Sequence, residues 1–268
     1  MFNIIFYHID ISKGGAMKIY PFYIILTVIF LFGVPVNASG AEIITEEVVY
    51  HQNGKNVSGY LARPADKQKH PGLILIHEWW GLNDNIRDNA KKFAELGYAA
   101  LAVDLYEGQS ATTPDEARKL ATGVRNNVEG AFKNLKSAVA FMKGHAGINP
   151  DSIASIGWCF GGGWSYQIAK NGLGVKASII YYGRFNPKDD LSKMRATILG
   201  HFGANDRVIK VDSVDEFQAK LKTLSVDHEI YIYENAGHGF ANEGGRGYNK
   251  EAADLAWRRT VTFLGKYL

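Results

Sequence analysis

A chain of 268 residues that is 46% hydrophobic and 21% charged has the length and apolar content of one large globular domain, which excludes a disordered or fibrous chain. Its formal net charge is +3, and Lys and Arg are scattered rather than run together, which excludes the basic footprint of a nucleic-acid binder. The single cysteine excludes an intramolecular disulfide, so the core alone must hold the fold.

The first forty residues differ in kind from the rest. Lys18 precedes an almost wholly apolar run from Ile19 to Val36, and Val36-Asn37-Ala38 and Ala38-Ser39-Gly40 offer small residues suited to signal-peptidase cleavage. Residues 1–40 are expected to be an upstream extension followed by a signal peptide, with Met17 as the natural start. Export to the periplasm or medium follows from that reading. The alternative is an uncleaved membrane anchor, since the run approaches the length that spans a bilayer. Membrane contact is expected only in that case. A lone thiol in an oxidising compartment is open to sulfenic acid and mixed disulfides, so its retention needs a reason, and catalysis is one.

Residues 41–268 read as one domain. Ile43 to Tyr50 and Val57 to Arg63 have strand character and flank Asn53-Gly54, a strong hairpin signal. Leu73 to His77 is a continuous apolar run typical of a buried parallel strand. Asn85 to Leu96 has helical spacing and stops at Gly97. Tyr98 to Val103 is the next buried strand, and Leu105 to Thr113 a loop. Thr113-Pro114-Asp115-Glu116 opens a helix with a cap, a proline at the first position and acidic residues in the first turn. Another helix runs from Val128 to Lys143. Strand Ile153–Gly157, helix Gly161–Lys170 and strands Ala177–Tyr182 and Ala196–Phe202 come next. Helix Asp212–Leu224, strand His228–Tyr233 and helix Lys250–Leu268 complete the chain. This alternation predicts an α/β fold, a mostly parallel sheet of about eight strands with helices on both faces.

The strand ending at Gly157 runs straight into Trp158-Cys159-Phe160-Gly161-Gly162. G-x-C-x-G at a strand-to-helix junction is the cysteine form of a nucleophile elbow, in which a strained turn demands small residues two places before and after the nucleophile. A helix starting just after Cys159 aims free N–H groups and its positive dipole end at the sulfur, which favours thiolate. A thiol nucleophile needs a base, and the base an orienting acid. Asp206 follows one downstream strand and His238, flanked by glycines, follows the next. Both loops lie at the C-terminal strand ends, where such sheets place their sites. Glu78 follows the strand Leu73–His77 at the loop expected to supply an oxyanion N–H. His77 and His201 close strands near the same edge and are expected to line the pocket or satisfy loop hydrogen bonds. No histidine pair has metal-ligand spacing with further ligands, so no metal is expected.

At these residues the chain resembles the dienelactone hydrolase family of α/β-hydrolases. The likeness covers residues 42–268. It rests on Glu78-Trp79-Trp80-Gly81, on Gly97-Tyr98 through Asp104-Leu105-Tyr106, on Gly157-Trp158-Cys159-Phe160-Gly161-Gly162, on Gly203-Ala204-Asn205-Asp206 and on Ala236-Gly237-His238-Gly239-Phe240. The resemblance implies an α/β-hydrolase fold and a catalytic set of Cys159, Asp206, His238 and Glu78. It also implies oxyanion donors at the backbone N–H groups of Trp79 and Phe160, and no cofactor. In the family the glutamate takes the thiol proton once substrate binds, leaving a thiolate paired with the histidine. The family's carboxylate-binding arginine four residues after the histidine is Asn242 here. Arg118 and Lys119 lie near its second arginine, without the tyrosine that follows one turn on.

A relative with its own small-molecule ester, lactone or enol-lactone substrate is therefore expected, acting as monomer or dimer. Trp80, Trp158, Tyr182 and Phe240 are expected, with Trp79, as aromatic pocket walls, and Asn242 and Arg118 as polar substrate contacts. Two other readings remain open on the residues alone. One is hydrolysis of a thioester or carbon–carbon bond by the same triad. The other is a non-catalytic binding or redox-sensing protein, which the lack of a resolving cysteine disfavours.

Overall fold

The computed structural model describes residues 5–10, 18–23, 42–52 and 55–268. The chain divides into two units, Met1–Ser39 and Gly40–Leu268. In the first, β1 (Ile5–Asp10) pairs antiparallel with β2 (Lys18–Tyr23), Ile5 opposite Tyr23 and Asp10 opposite Lys18. Part of the segment read as an upstream extension is thus a paired strand. The remainder of the apolar run, both cleavage positions and the Asn53-Gly54 turn lie outside the described residues.

The second unit carries an eight-stranded sheet. Its strands are β3 (Ile43–Gln52), β4 (Lys55–Pro64), β5 (His70–Ile76), β6 (Ala99–Val103), β7 (Ile148–Trp158), β8 (Ala177–Tyr181), β9 (Thr197–Gly203) and β10 (His228–Tyr233). Their order is β10-β9-β8-β7-β5-β6-β4-β3. Pairing is parallel from β10 through β6 and antiparallel for β6–β4 and β4–β3. The parallel strands are apolar along their length because both faces are covered. Side-chain alternation divides them between two cores. Ile74 and Ile76 of β5 join one core and Leu73 and Leu75 the other; Leu101 and Val103 of β6 face opposite to Ala100 and Ala102.

Helices α2 (Pro114–Asn126), α3 (Val128–Gly144), α4 (Phe160–Lys170) and α5 (Val211–Lys222) cover one face. Helices α1 (Asp84–Glu95) and α6 (Lys250–Tyr267) cover the other, through residues such as Ile86, Phe93, Ala256 and Phe263. The predicted N-terminal cap of α2 is present and takes the form of a capping box. The Thr113 side chain accepts from Glu116 N–H, and the Glu116 carboxylate accepts from Thr113 N–H. Among the described residues no helix is long and apolar enough to cross a membrane.

The topology locates the functional edge. From β5 the chain moves to β6 on one side, whereas β7, β8, β9 and β10 add successively on the other. The crevice at the C-terminal ends of β5 and β7 is therefore a switch point, where open α/β sheets hold ligands.

Candidate active site

Register brings the site together. Ile76 at the end of β5 pairs with Gly157 of β7, and Trp158 pairs with Tyr181 at the end of β8. The loop His77-Glu78-Trp79, the elbow at Cys159 and Tyr182 thus emerge side by side. Tyr233 of β10 pairs with Gly203 of β9, so the loops carrying Asp206 and His238 also leave adjacent strands.

The elbow has the strained geometry that its glycines suggested. Cys159 has φ 53 and ψ −110, a left-handed conformation costly for a residue with a Cβ. Its N–H donates to Tyr181 O at 3.0 Å, and its carbonyl accepts from Gly163 N–H at 3.2 Å. A Cβ on Gly157 would fall 2.0 Å from Gly161 O, and one on Gly161 would fall 2.1 Å from Ile76 O. Strand and helix can approach this closely only with hydrogen at both positions.

Cys159, His238 and Asp206 form one hydrogen-bonded chain. His238 Nε2 lies 3.0 Å from Cys159 Sγ, and His238 Nδ1–H donates to Asp206 Oδ2 at 2.8 Å. Asp206 Oδ1 accepts from the N–H groups of Val208 at 2.6 Å and Ile209 at 3.0 Å, and its side chain is fully buried. Burial alone would raise the Asp206 carboxyl; the His238 hydrogen bond and charge and the two N–H donors outweigh it and hold the group below its ordinary value. Burial alone would lower the His238 imidazole. Hydrogen bonds to Asp206 and Cys159, with their negative charge, prevail and push it up to about 10.

Glu78 stands beside this chain. Tyr182 OH donates to its Oε1 at 3.2 Å, and Asn242 Nδ2 donates to its Oε2. Burial pushes the Glu78 carboxyl up from its ordinary range; those two donors and the His238 charge oppose the rise without cancelling it. The backbone N–H groups of Trp79 and Phe160 donate to no protein group among the described residues.

Above Cys159 lies a cavity of about 570 Å³. Trp79, Phe160, Trp164, Tyr182, Ala121, Val128 and Val208 supply much of its wall, and Cys159 and His238 open into it. Arg118, Arg125 and Arg184 line it together with Gln167, and among the described residues no Asp or Glu does. Arg118 is also paired with Asp115 at 2.8 Å. Among the described residues no group of three His, Cys, Asp or Glu side chains is placed to hold a metal ion.

Several expected pocket residues lie elsewhere. Trp158 stacks on Tyr181, 5.4 Å between ring centroids, and lines a separate depression with Trp257 and Lys92 between α1 and α6. The correction follows from strand alternation: Trp158 belongs with Ala154 and Ile156 on the opposite face from α4. Phe240 is fully buried against Tyr182 and Tyr233, so it backs the wall rather than forming it. Trp80 packs edge-on against Trp79, outside the cavity. Asn242 reaches Glu78 instead of the cavity. His77 and His201 are buried and hydrogen-bonded, and neither lines the cavity. Arg125 and Arg184 were not singled out from sequence. Arg118, Ala121 and Arg125 share one face of α2 by their i, i+3, i+7 spacing, and Arg184 follows β8 at the functional edge. Both signals were present.

A model of the dienelactone hydrolase family matches residues 57–268. Protein usf of Aquifex pyrophilus is 34% identical over 228 residues, covering 82% of this chain and 98% of its own. A Saccharolobus solfataricus protein, provisionally named a carboxymethylenebutenolidase, is 30% identical over 254 residues, covering 82% of this chain and 97% of its own. Among solved structures, a dienelactone hydrolase-like promiscuous phosphotriesterase from metagenomic libraries superposes with a TM-score of 0.77 at 21% identity. That match covers 84% of this chain and 98% of the other, and the likeness is one of fold.

Proposed function

The chain belongs to the dienelactone hydrolase family and is a hydrolase of esters or lactones, and from that premise we propose that it acts through a thioester intermediate on Cys159. The observation that carries the reading is the unbroken chain from Asp206 through His238 to Cys159, with contacts of 2.8 and 3.0 Å, at the base of an apolar-walled cavity.

The thiolate of Cys159, paired with the His238 imidazolium, attacks the ester or lactone carbonyl. The S–C bond forms as the carbonyl electron pair moves onto oxygen. The N–H groups of Trp79 and Phe160 receive that oxyanion, each well-placed donor contributing about 3–4 kcal/mol to the transition state. Collapse breaks the C–O bond, and His238 protonates the departing alkoxide or enolate. His238 Nε2 then takes a proton from water, the hydroxide adds to the thioester, and collapse returns the Cys159 thiolate with release of the acid. Asp206 holds the imidazole in orientation and stabilises its charged form. Before the thiolate attacks, Glu78, whose proton affinity burial raises, takes the proton of the Cys159 thiol, leaving the thiolate against a His238 ring that is already protonated, and it returns the proton to Cys159 after the acid leaves. The apolar run from Ile19 to Val36, with small residues after it, supports a signal peptide and with it action outside the cytoplasm.

The cavity also points to substrate charge. Among the described residues three guanidinium groups and no carboxylate line it, and Arg125 and Arg184 form no ion pair there. Esters or lactones with an anionic group away from the scissile bond, on an apolar body that fits against Trp79 and Trp164, suit this lining. The test is hydrolysis of a p-nitrophenyl ester panel, neutral and carboxylated. Loss of turnover in Cys159→Ala is expected, and full activity in that variant sinks the mechanism.

A further inference from the structure

His77 takes no part in the chemistry above, yet it is fully buried beside the loop that supplies the Trp79 N–H. Its Nε2 accepts the Leu105 N–H at 3.2 Å. The ring proton must therefore sit on Nδ1, which donates to Glu78 O at 2.6 Å. Burial pushes the imidazole down from its ordinary value, consistent with a permanently neutral ring. The ring lies edge-on to Tyr106 at 4.6 Å and stacks with Phe160 at 5.7 Å.

Further hydrogen bonds hold the carbonyls along this loop. Glu78 O also accepts from Gly81 N–H at 3.3 Å, Trp79 O accepts from Tyr106 OH at 3.1 Å, and Trp80 O accepts from Ala111 N–H at 2.9 Å. Tyr106 is itself fixed, its N–H donating to Asp104 Oδ1 at 2.7 Å. A trans peptide is planar, with its C=O and N–H pointing in opposite directions. Holding Glu78 O therefore holds the Trp79 N–H, and holding Trp79 O removes the rotation on its other side.

We infer that His77 and Tyr106 are positioning residues for the oxyanion site: their hydrogen bonds to the carbonyls of Glu78 and Trp79 aim the Trp79 N–H at the developing oxyanion. The inference rests on the acyl-transfer reading above. Mobility of this peptide would leave substrate entry intact and weaken only an interaction made in the transition state. The backbone of the loop cannot be substituted, but the two side chains that hold it can.

The experiment uses the full chain with His77→Leu, His77→Asn and Tyr106→Phe. Each is assayed for kcat and KM on p-nitrophenyl acetate and for the rate at which iodoacetamide alkylates Cys159. For His77→Leu, kcat is expected to fall about tenfold to a hundredfold, with KM and the alkylation rate unchanged. Asparagine presents an N–H near the position of Nδ1, so His77→Asn is expected to recover much of that loss. Tyr106→Phe is expected to lower kcat several-fold with the same unchanged KM and alkylation, and it carries the test if His77→Leu does not fold. Unchanged kcat in folded variants, an alkylation rate that falls in step with kcat, or an asparagine variant no better than leucine overturns the inference. Failure of the acyl-transfer reading shows separately, as full activity in Cys159→Ala.

Discussion

The Tyr182 hydroxyl donates to Glu78 Oε1 at 3.2 Å across 104 residues of sequence, joining the loop after β8 to the loop after β5. Tyr182 is the first residue after β8, which ends at Tyr181, and it turns with φ 39 instead of continuing the strand predicted through it. That turn places its ring against His238 on one side and Phe240 on the other, at 5.4 and 5.2 Å. One side chain thus holds the glutamate and packs against the histidine. Tyr182→Phe leaves a buried carboxylate oxygen short of a donor. A loss of about 1–3 kcal/mol in unfolding free energy is expected, measured by urea denaturation.

Glu78 is held in an environment that disfavours its charge. Its folded-state value is raised above the ordinary 4.5 by burial, so ionisation costs stability at neutral pH and costs nothing below the ordinary value, where both states are protonated. Glu78→Gln is expected to raise the melting temperature near pH 7, with the gain vanishing as pH falls through about 4. A gain that persists in acid contradicts this account. The same variant is expected to lose activity if Glu78 takes the thiol proton.

The His238–Asp206 pair stabilises the fold where Glu78 costs it, and its two members titrate at opposite ends of the pH range. His238 is raised from 6.5 to about 10, so protonation favours the folded state. That contribution is fully present below 6.5 and is lost as pH rises through about 10. Asp206 is lowered from 3.8, so its contribution is present above that value and is lost as pH falls through the folded-state value. The melting-temperature gap between wild type and Asp206→Asn is therefore expected to be widest near pH 5–6 and to narrow toward both extremes. Calorimetry across pH reads it directly.

On the proposed reading Arg125 and Arg184, which line the cavity, select for substrate charge. Arg184→Ala is expected to raise KM for a carboxylated ester about fivefold to twentyfold and to leave a neutral ester within twofold. High salt should reproduce part of the effect on wild type, because exposed charges are screened. Equal losses on both esters would assign Arg184 to packing instead.

The elbow makes a steric demand that a single methyl group tests. Gly161→Ala places a Cβ about 2.1 Å from Ile76 O, a backbone atom that cannot yield alone. Loss of soluble protein, or destabilisation above about 3 kcal/mol, is expected. Gly265→Ala, in α6 where a Cβ meets open space, is expected to be neutral or stabilising by up to about 1 kcal/mol.

Local rules made much of this protein readable without coordinates. Alternating apolar strands and amphipathic helices specify the doubly covered sheet, because periods of 2 and 3.6 residues are written along the chain itself. The glycines flanking Cys159 announce a strained turn because close approach of strand and helix needs hydrogen at those positions. The positions of Asp206 and His238, each just after a strand, place them at one sheet edge once the strands run parallel. Facing and partnership were not readable in this way. The tertiary structure alone decided that Trp158 packs on the α1/α6 face, that Asn242 serves Glu78 from 164 residues away, and that Arg125 and Arg184 meet at one cavity. These relations depend on which sheet face a side chain takes and on how loops from separate strands meet. The cysteine elbow is local in sequence, whereas the pocket above it is assembled from α2, the start of α3, α4 and the loops after β5, β8, β9 and β10, which the sheet alone brings together.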